Sequence, residues 1–136
     1  MIEIVQKPID VQRIIRHVYD PAAGGIDVFI GTTRDMTRGR PVLRLDFEAY
    51  EPMAISELRK IVNRAQERWD ILHYAVSHRV GTVGVGEEAV VIAMSSAHRH
   101  EAFEACRFVI DELKKTVPIW KKEVFEDGEV WVSAHP

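Results

Sequence analysis

Four lysines fall within nine positions late in the sequence, Lys114, Lys115, Lys121 and Lys122, and the apolar, rigid stretch Val117, Pro118, Ile119, Trp120 separates the two pairs. An ammonium held beside such a stretch loses hydration, which moves its pKa toward the range useful for proton transfer while it still holds an anion as a point charge. Lysines in a last helical turn also complement the helix dipole, so Lys114 and Lys115 by themselves do not define a site. A second basic group, Ser95, Ser96, His98, Arg99 and His100, follows an apolar run and opens a helix. That end of a helix carries partial positive charge, and an Arg with two His there suits a bound phosphate or carboxylate. The plainer alternative pairs Arg99 with Glu101 or Glu104. Arg34, Arg38 and Arg40 make a third basic group, in the segment TTRDMTRGR. Together these residues offer recognition of a small anion, with lysine as the acid or base.

Two other features carry less chemistry. The run GTVGVGE, residues 81–87, matches neither G-x-G-x-x-G nor a lysine-bearing phosphate loop and precedes a strand, so a tight β-turn is expected. Cys106 sits on the apolar stripe of a helix without a cationic neighbour, the setting of a small core residue rather than a nucleophile or persulfide carrier. A single cysteine excludes an intramolecular disulfide, and no Cys/His spacing suits zinc, so no metal site is expected.

The elements that must position these groups follow from hydrophobic period and breakers. Val11 to Tyr19 reads as a short helix, and the alternation at Ile26, Val28 and Ile30 reads as a strand that ends in a loop over 32–40. Leu43, Leu45, Phe47 and Ala49 alternate with polar residues as a second strand with one face on the core. Pro52 opens a helix whose stripe is Ala54, Leu58, Ile61, Ala65 and Trp69. Leu72, Tyr74 and Val76 alternate next, and the unbroken run Ala89 to Met94 reads as a central buried strand. The helix from about Arg99 to Thr116 carries Ala102, Cys106, Val109, Ile110 and Leu113 inward and is stopped by Pro118. Val124 and Phe125, then EDG, then Val130 to Val132 read as a hairpin. Helices and strands in irregular alternation indicate an α+β fold, taken as a single domain over 1–136.

Composition narrows the partners. The 136 residues include 18 Lys and Arg against 21 Asp and Glu, a formal charge of −3, so no overall cationic field attracts nucleic acid or anionic lipid. Any bound anion must be met by a local cluster. No apolar run approaches the roughly 20 residues of a membrane span, and MIEIVQKPID is unlike a signal peptide, so a cytoplasmic protein is expected.

The segments FIGTTRD (29–35), FEAYEPMA (47–54), SHRVGTVGVGE (77–87), SSAHRHEAFEACRFVIDELKKTVPIWKKE (95–123) and DGEVWV (127–132) resemble, in order and over nearly the whole chain, the MoaE family of molybdopterin synthase large subunits. The resemblance implies an α/β hammerhead fold with an added small antiparallel sheet. It implies a homodimer flanked by two copies of a small ubiquitin-like sulfur carrier. The carrier's C-terminal Gly-Gly thiocarboxylate would donate sulfur twice to cyclic pyranopterin monophosphate, forming the dithiolene of molybdopterin without a cofactor or metal on the large subunit. Carried over by motif, Thr32, Thr33 and Arg34 correspond to a substrate-contacting segment and His98 with Arg99 to a substrate-binding pair. Lys114 and Lys121 correspond to the catalytic lysines, which also bind substrate, and Lys122 and Glu123 flank them in the binding set. His135 is the nearest basic residue after the last motif, with its role open. The competing expectation is a non-catalytic scaffold whose basic pocket docks the carrier or binds a phosphate-bearing pterin.

Overall fold

The structure is a computed structural model that describes residues 1–133. His135 lies outside them. In chain order the elements are β1 (Ile2–Val5), α1 (Val11–His17), β2 (Gly25–Thr32), β3 (Met36–Thr37), β4 (Arg40–Ala49), α2 (Glu51–Arg68), β5 (His73–Arg79), β6 (Gly81–Gly84), β7 (Glu88–Ser96), α3 (Arg99–Thr116), β8 (Ile119–Phe125) and β9 (Gly128–Ser133). The mixed α+β architecture expected from the sequence is the one observed, with two sheets and three helices among the described residues.

β7 is buried at every position after Glu88, as its unbroken apolar run requires. It lies between β5 and β2 in a four-stranded sheet of order β1-β5-β7-β2, where only the β1–β5 pair is parallel. Each face of that sheet needs a cover. On one face Ile14 of α1 and Val18, the C-cap residue of α1, pack onto Ala75, Val91 and Ala93. On the other, α2 and α3 bring Leu58, Ile61, Val62, Ala105, Cys106 and Val109 onto Val76, Ile92 and Met94. Fully burying one such Val, Leu or Ile side chain stabilises the fold by about 1.5–3 kcal/mol.

A second sheet closes the end of this larger core. Its order is β3-β4-β8-β9 with β6 also on β4, and it contributes Phe47, Val83 and Ile119 to the core. Three details depart from the sequence reading. Residues 32–40 are not only a loop: Met36 and Thr37 pair with Pro41 and Arg40 across a two-residue turn, with Arg38 at φ 49° and Gly39 at φ 77°. Positive φ at both central positions gives the turn whose twist matches a hairpin. In β4 the register shifts between Val42 and Arg44, so Val42 turns inward and Leu43 is left exposed. The run 81–87 is half strand, with β6 pairing Gly81–Gly84 against β4 before the turn at Gly86.

α3 begins directly after β7 and returns along it. Gly25 on β2 makes room for that return: a Cβ there would stand 2.9 Å from the Arg99 Cα. None of the helices among the described residues is long and apolar enough to cross a membrane. Gly25→Ala is expected to push the start of α3 off the sheet and lower stability by about 1–3 kcal/mol, measured by urea melts.

Candidate active site

The far end of α3 and the middle of β8 meet across a cavity of about 250 Å³. α3 supplies Ile110, Leu113 and Lys114, β2 supplies Phe29 and Thr32, β4 supplies Leu45 and Phe47, and β8 supplies Lys121. Its walls are mostly apolar, and its polar side chains are Thr32, His78, Lys114 and Lys121. Lys114 and Lys121, paired by motif in the sequence, are therefore brought to one place by two elements.

Their surroundings differ. Lys121 is part-buried, with Nζ 3.9 Å from Glu123 Oε1, and Glu123 is itself buried. Lys114 is exposed and has no carboxylate within ion-pair distance among the described residues, against the expectation of an amine sheltered by Pro118 and Trp120. That expectation failed because residues 119–125 are strand rather than turn. The strand also separates the two lysines of the WKKE motif. Successive side chains leave a strand on opposite faces; Lys121 turns to the cavity, while Lys122 turns away and pairs with Asp46 (3.8 Å) and Glu129 (3.5 Å) beside Trp131. Lys122 does not join the cavity.

Arg34 lies in an adjoining depression with Arg38, Arg40 and Glu123, which shares Val132 with the cavity wall. Of the three arginines Arg40 is structural: it pairs with Asp127 at 2.7 Å and stacks on Phe125. Thr33 is buried; its backbone N–H donates to the Glu87 carbonyl and its Oγ1 has no partner among the described residues. Thr32, Thr33, Arg34, Lys114, Lys121 and Glu123 thus share one end of the molecule.

His98 and Arg99 are at the other end. They lie, with His100, around a separate depression that includes Gly24 and Ala97. Arg99 and Lys114 are fifteen positions apart along α3, a span of about 22 Å at the helical rise. No side chain caps α3 from its N-cap His98, and buried Ser96 satisfies only the Ala102 N–H, at 3.1 Å. The ion pairs of α3 lie in its middle and last turns, so Arg99 is not engaged by Glu101 or Glu104.

Cys106 is buried under β7, and burial first, then the nearby Asp27 carboxylate, pushes its thiol up to about 12. A thiol that stays protonated at neutral pH is a poor nucleophile. No group of three or more His, Cys, Asp or Glu among the described residues is arranged to hold a metal ion.

The sequence reading did not single out His78. It is buried on the register Val76, His78, Val80 that faces the larger core, and its ring meets Phe47 edge-on at 5.2 Å. A histidine at an inward position of an otherwise apolar alternation was the available signal. Burial lowers its pKa from 6.5 to about 4, with the Nδ1 hydrogen bond to the Arg79 carbonyl (2.8 Å) opposing the shift.

This arrangement defines a class: a mixed α+β protein with two separated cationic sites, one opening into an apolar cavity lined by two lysines. The family described as MoaE protein matches residues 4–116. The molybdopterin synthase catalytic subunit of Bacillus subtilis is 48% identical over 130 residues, covering 96% of this chain and 83% of the relative. That of Arabidopsis thaliana is 52% identical over 133 residues, covering 96% and 67%. The crystal structure of molybdopterin synthase from Staphylococcus aureus superposes with a TM-score of 0.92 at 38% identity, covering 96% of this chain and 95% of that one. The chain belongs to the MoaE family.

The His78 shift has a consequence for stability. The unfolded imidazole takes up its proton near pH 6.5 while the folded one stays neutral to about 4, so this contribution is whole above pH 6.5 and falls as pH drops through that window. About 3 kcal/mol is expected to be lost by pH 4. Urea melts at pH 7 and pH 4.5 check it, with His78→Gln losing less than the parent chain over the same interval.

Proposed function

We propose that this chain is the catalytic subunit of a molybdopterin synthase, which takes sulfur from the C-terminal thiocarboxylate of a small ubiquitin-like carrier and delivers it to cyclic pyranopterin monophosphate. The observation that carries this reading is the convergence of Lys114 and Lys121 on one apolar-walled cavity, in a chain whose single cysteine is buried and protonated. Such a chain imports its sulfur, and an extended Gly-Gly tail suits a cavity whose walls are mostly apolar. The reading takes residues 1–136 as one working domain in the cytoplasm.

The chemistry follows from the charges. A thiocarboxylate sulfur that has bonded to a substrate carbon is an acyl thioester, and freeing the carrier requires water to add to its carbonyl. The tetrahedral oxyanion formed there is the charge that Lys114, exposed on the cavity lining, is suited to stabilise. Lys121, held by Glu123, is suited to donate or accept the proton that accompanies the addition. Thr32 in the cavity wall and Arg34 in the adjoining depression supply donors for an anionic substrate, while buried Thr33 holds the segment through its N–H to the Glu87 carbonyl. Lys122 keeps its sheet partners, and Glu123 acts by holding Lys121.

His98 and Arg99 enter through a second copy of the chain. A substrate of pterin size does not span about 22 Å of helix, so residues at the two ends of α3 serve one substrate only when the start of α3 from a partner copy faces the Lys114 cavity. A two-fold homodimer does this twice at once. β2 offers a surface for it, an edge strand with Ile26, Phe29 and Ile30 exposed. Should the chain bind carrier and pterin without turnover, the scaffold reading replaces the catalytic one.

Lys114→Ala is expected to slow single-turnover sulfur transfer by about 100-fold or more with carrier docking intact. Lys114→Arg keeps the charge but replaces the compact ammonium with a broad planar guanidinium that does not fit the same point beside the oxyanion, and is expected not to restore the rate. Mixing inactive Lys114→Ala and Arg99→Ala dimers, after exchange of subunits, is expected to return activity toward about a quarter of the parent value, because half the dimers then hold one intact site of two. Activity that stays at the level of the separate variants places both residues in one protomer.

A further inference from the structure

The lysine cavity holds one polar group without a role in the reading above. His78 lines it, buried between β4 and the core, with its ring fixed edge-on against Phe47 at 5.2 Å. Nδ1 lies 2.8 Å from the Arg79 carbonyl oxygen. A carbonyl only accepts, so Nδ1 carries the ring proton and Nε2 keeps its lone pair. Nothing among the described residues donates to that lone pair, neither Lys114 nor Lys121 included. The cavity therefore contains an acceptor of fixed orientation that the folded chain leaves free.

The other polar side chains of the lining explain what such an acceptor is for. Lys114 and Lys121 only donate, and the Thr32 hydroxyl is at the exposed end of β2. An extended peptide entering between Phe29, Leu45, Phe47 and Leu113 brings N–H groups as well as carbonyls out of water. Lysines can satisfy the carbonyls and the terminal anion but not the N–H groups, and a buried N–H without an acceptor keeps the full cost of its lost hydration. A neutral imidazole supplies the missing acceptor without adding a third positive charge.

We propose that His78 Nε2 accepts a hydrogen bond from a backbone N–H of the carrier's glycine tail and so holds the tail's terminal carbonyl in line with Lys114. This rests on the carrier-dependent function proposed above. His78 is a binding residue for the sulfur donor rather than an acid or base in the transfer. It deepens the reading by giving the cavity selectivity for an extended peptide end over a small free thioacid, which has no N–H to offer.

The test compares two carriers, a ubiquitin-like carrier ending in Gly-Gly and the same protein lacking those two residues, titrated at pH 7 against the full chain and two variants. His78→Asn keeps a donor toward the Arg79 carbonyl and loses the acceptor at the Nε2 position; His78→Gln restores an oxygen near that position. His78→Asn is expected to weaken the tailed carrier about 10-fold and to leave the tail-less carrier unchanged, with His78→Gln recovering most of the loss. Equal weakening of both carriers, or none of either, overturns the proposal. Because the variants carry a folding risk, the parent chain supplies a second readout: the ¹⁵N resonance of His78 Nε2 is expected to move on adding tailed carrier and to stay in place with the tail-less one. An unmoved resonance at saturation also overturns it. A parent chain that binds neither carrier overturns the proposed function, and this inference with it, whereas normal parent binding with an indifferent His78→Asn removes the role of His78 alone.

Discussion

The return of α3 along β7 is the constraint on which the remaining features depend. β7 is an apolar strand flanked on both sides by hydrogen-bonded neighbours, so both of its faces must be covered. α3 covers one of them by leaving the end of β7 and running back to its beginning, with Ala102, Ala105, Cys106, Val109 and Leu113 against the sheet. One helix thus carries basic residues at both ends, and its length keeps them apart. The positive end of the helix dipole, with Arg99 and His98, lies at one edge of the molecule, and Lys114 in the last turn lies at the other. Two separated cationic sites in a net acidic chain result directly from that packing.

The second sheet converts the Lys114 end into a cavity. β8 starts at Ile119, immediately after the turn that ends α3, and pairs with β4 so that Lys121 and Glu123 look toward the helix while Lys122 looks away. The bulge in β4 brings Val42 inward and leaves Phe47 on the inner face, where it supports His78. Apolar walls around two ammonium groups and one neutral imidazole make a space that favours a peptide end bearing a negative terminus. A low-dielectric wall strengthens the attraction between the lysines and such an anion, and the buried thiol of Cys106 stays out of the chemistry.

Much of this was legible in the sequence because it rests on local pattern. The bounds of α3 follow from its apolar stripe and Pro118, and β7 from its unbroken apolar run, since hydrophobic period reports the face that an element must bury. The core role of Cys106 and the basic opening of α3 are local in the same sense. Spacing grouped the four lysines, and the motifs shared with the MoaE family selected Lys114 and Lys121 from among them. Tertiary structure alone decided the rest. Lys121 and Lys122 parted because strand pairing with β4 set their register, and the sequence around Pro118 and Trp120 reads equally as a turn. Leu43 lost its place in the core to Val42 because a bulge is a property of two paired strands, not of one. His78 became part of the cavity only when β5 was laid against Phe47. Such facts depend on which segments meet across long stretches of chain, and local hydrophobic period carries no record of that.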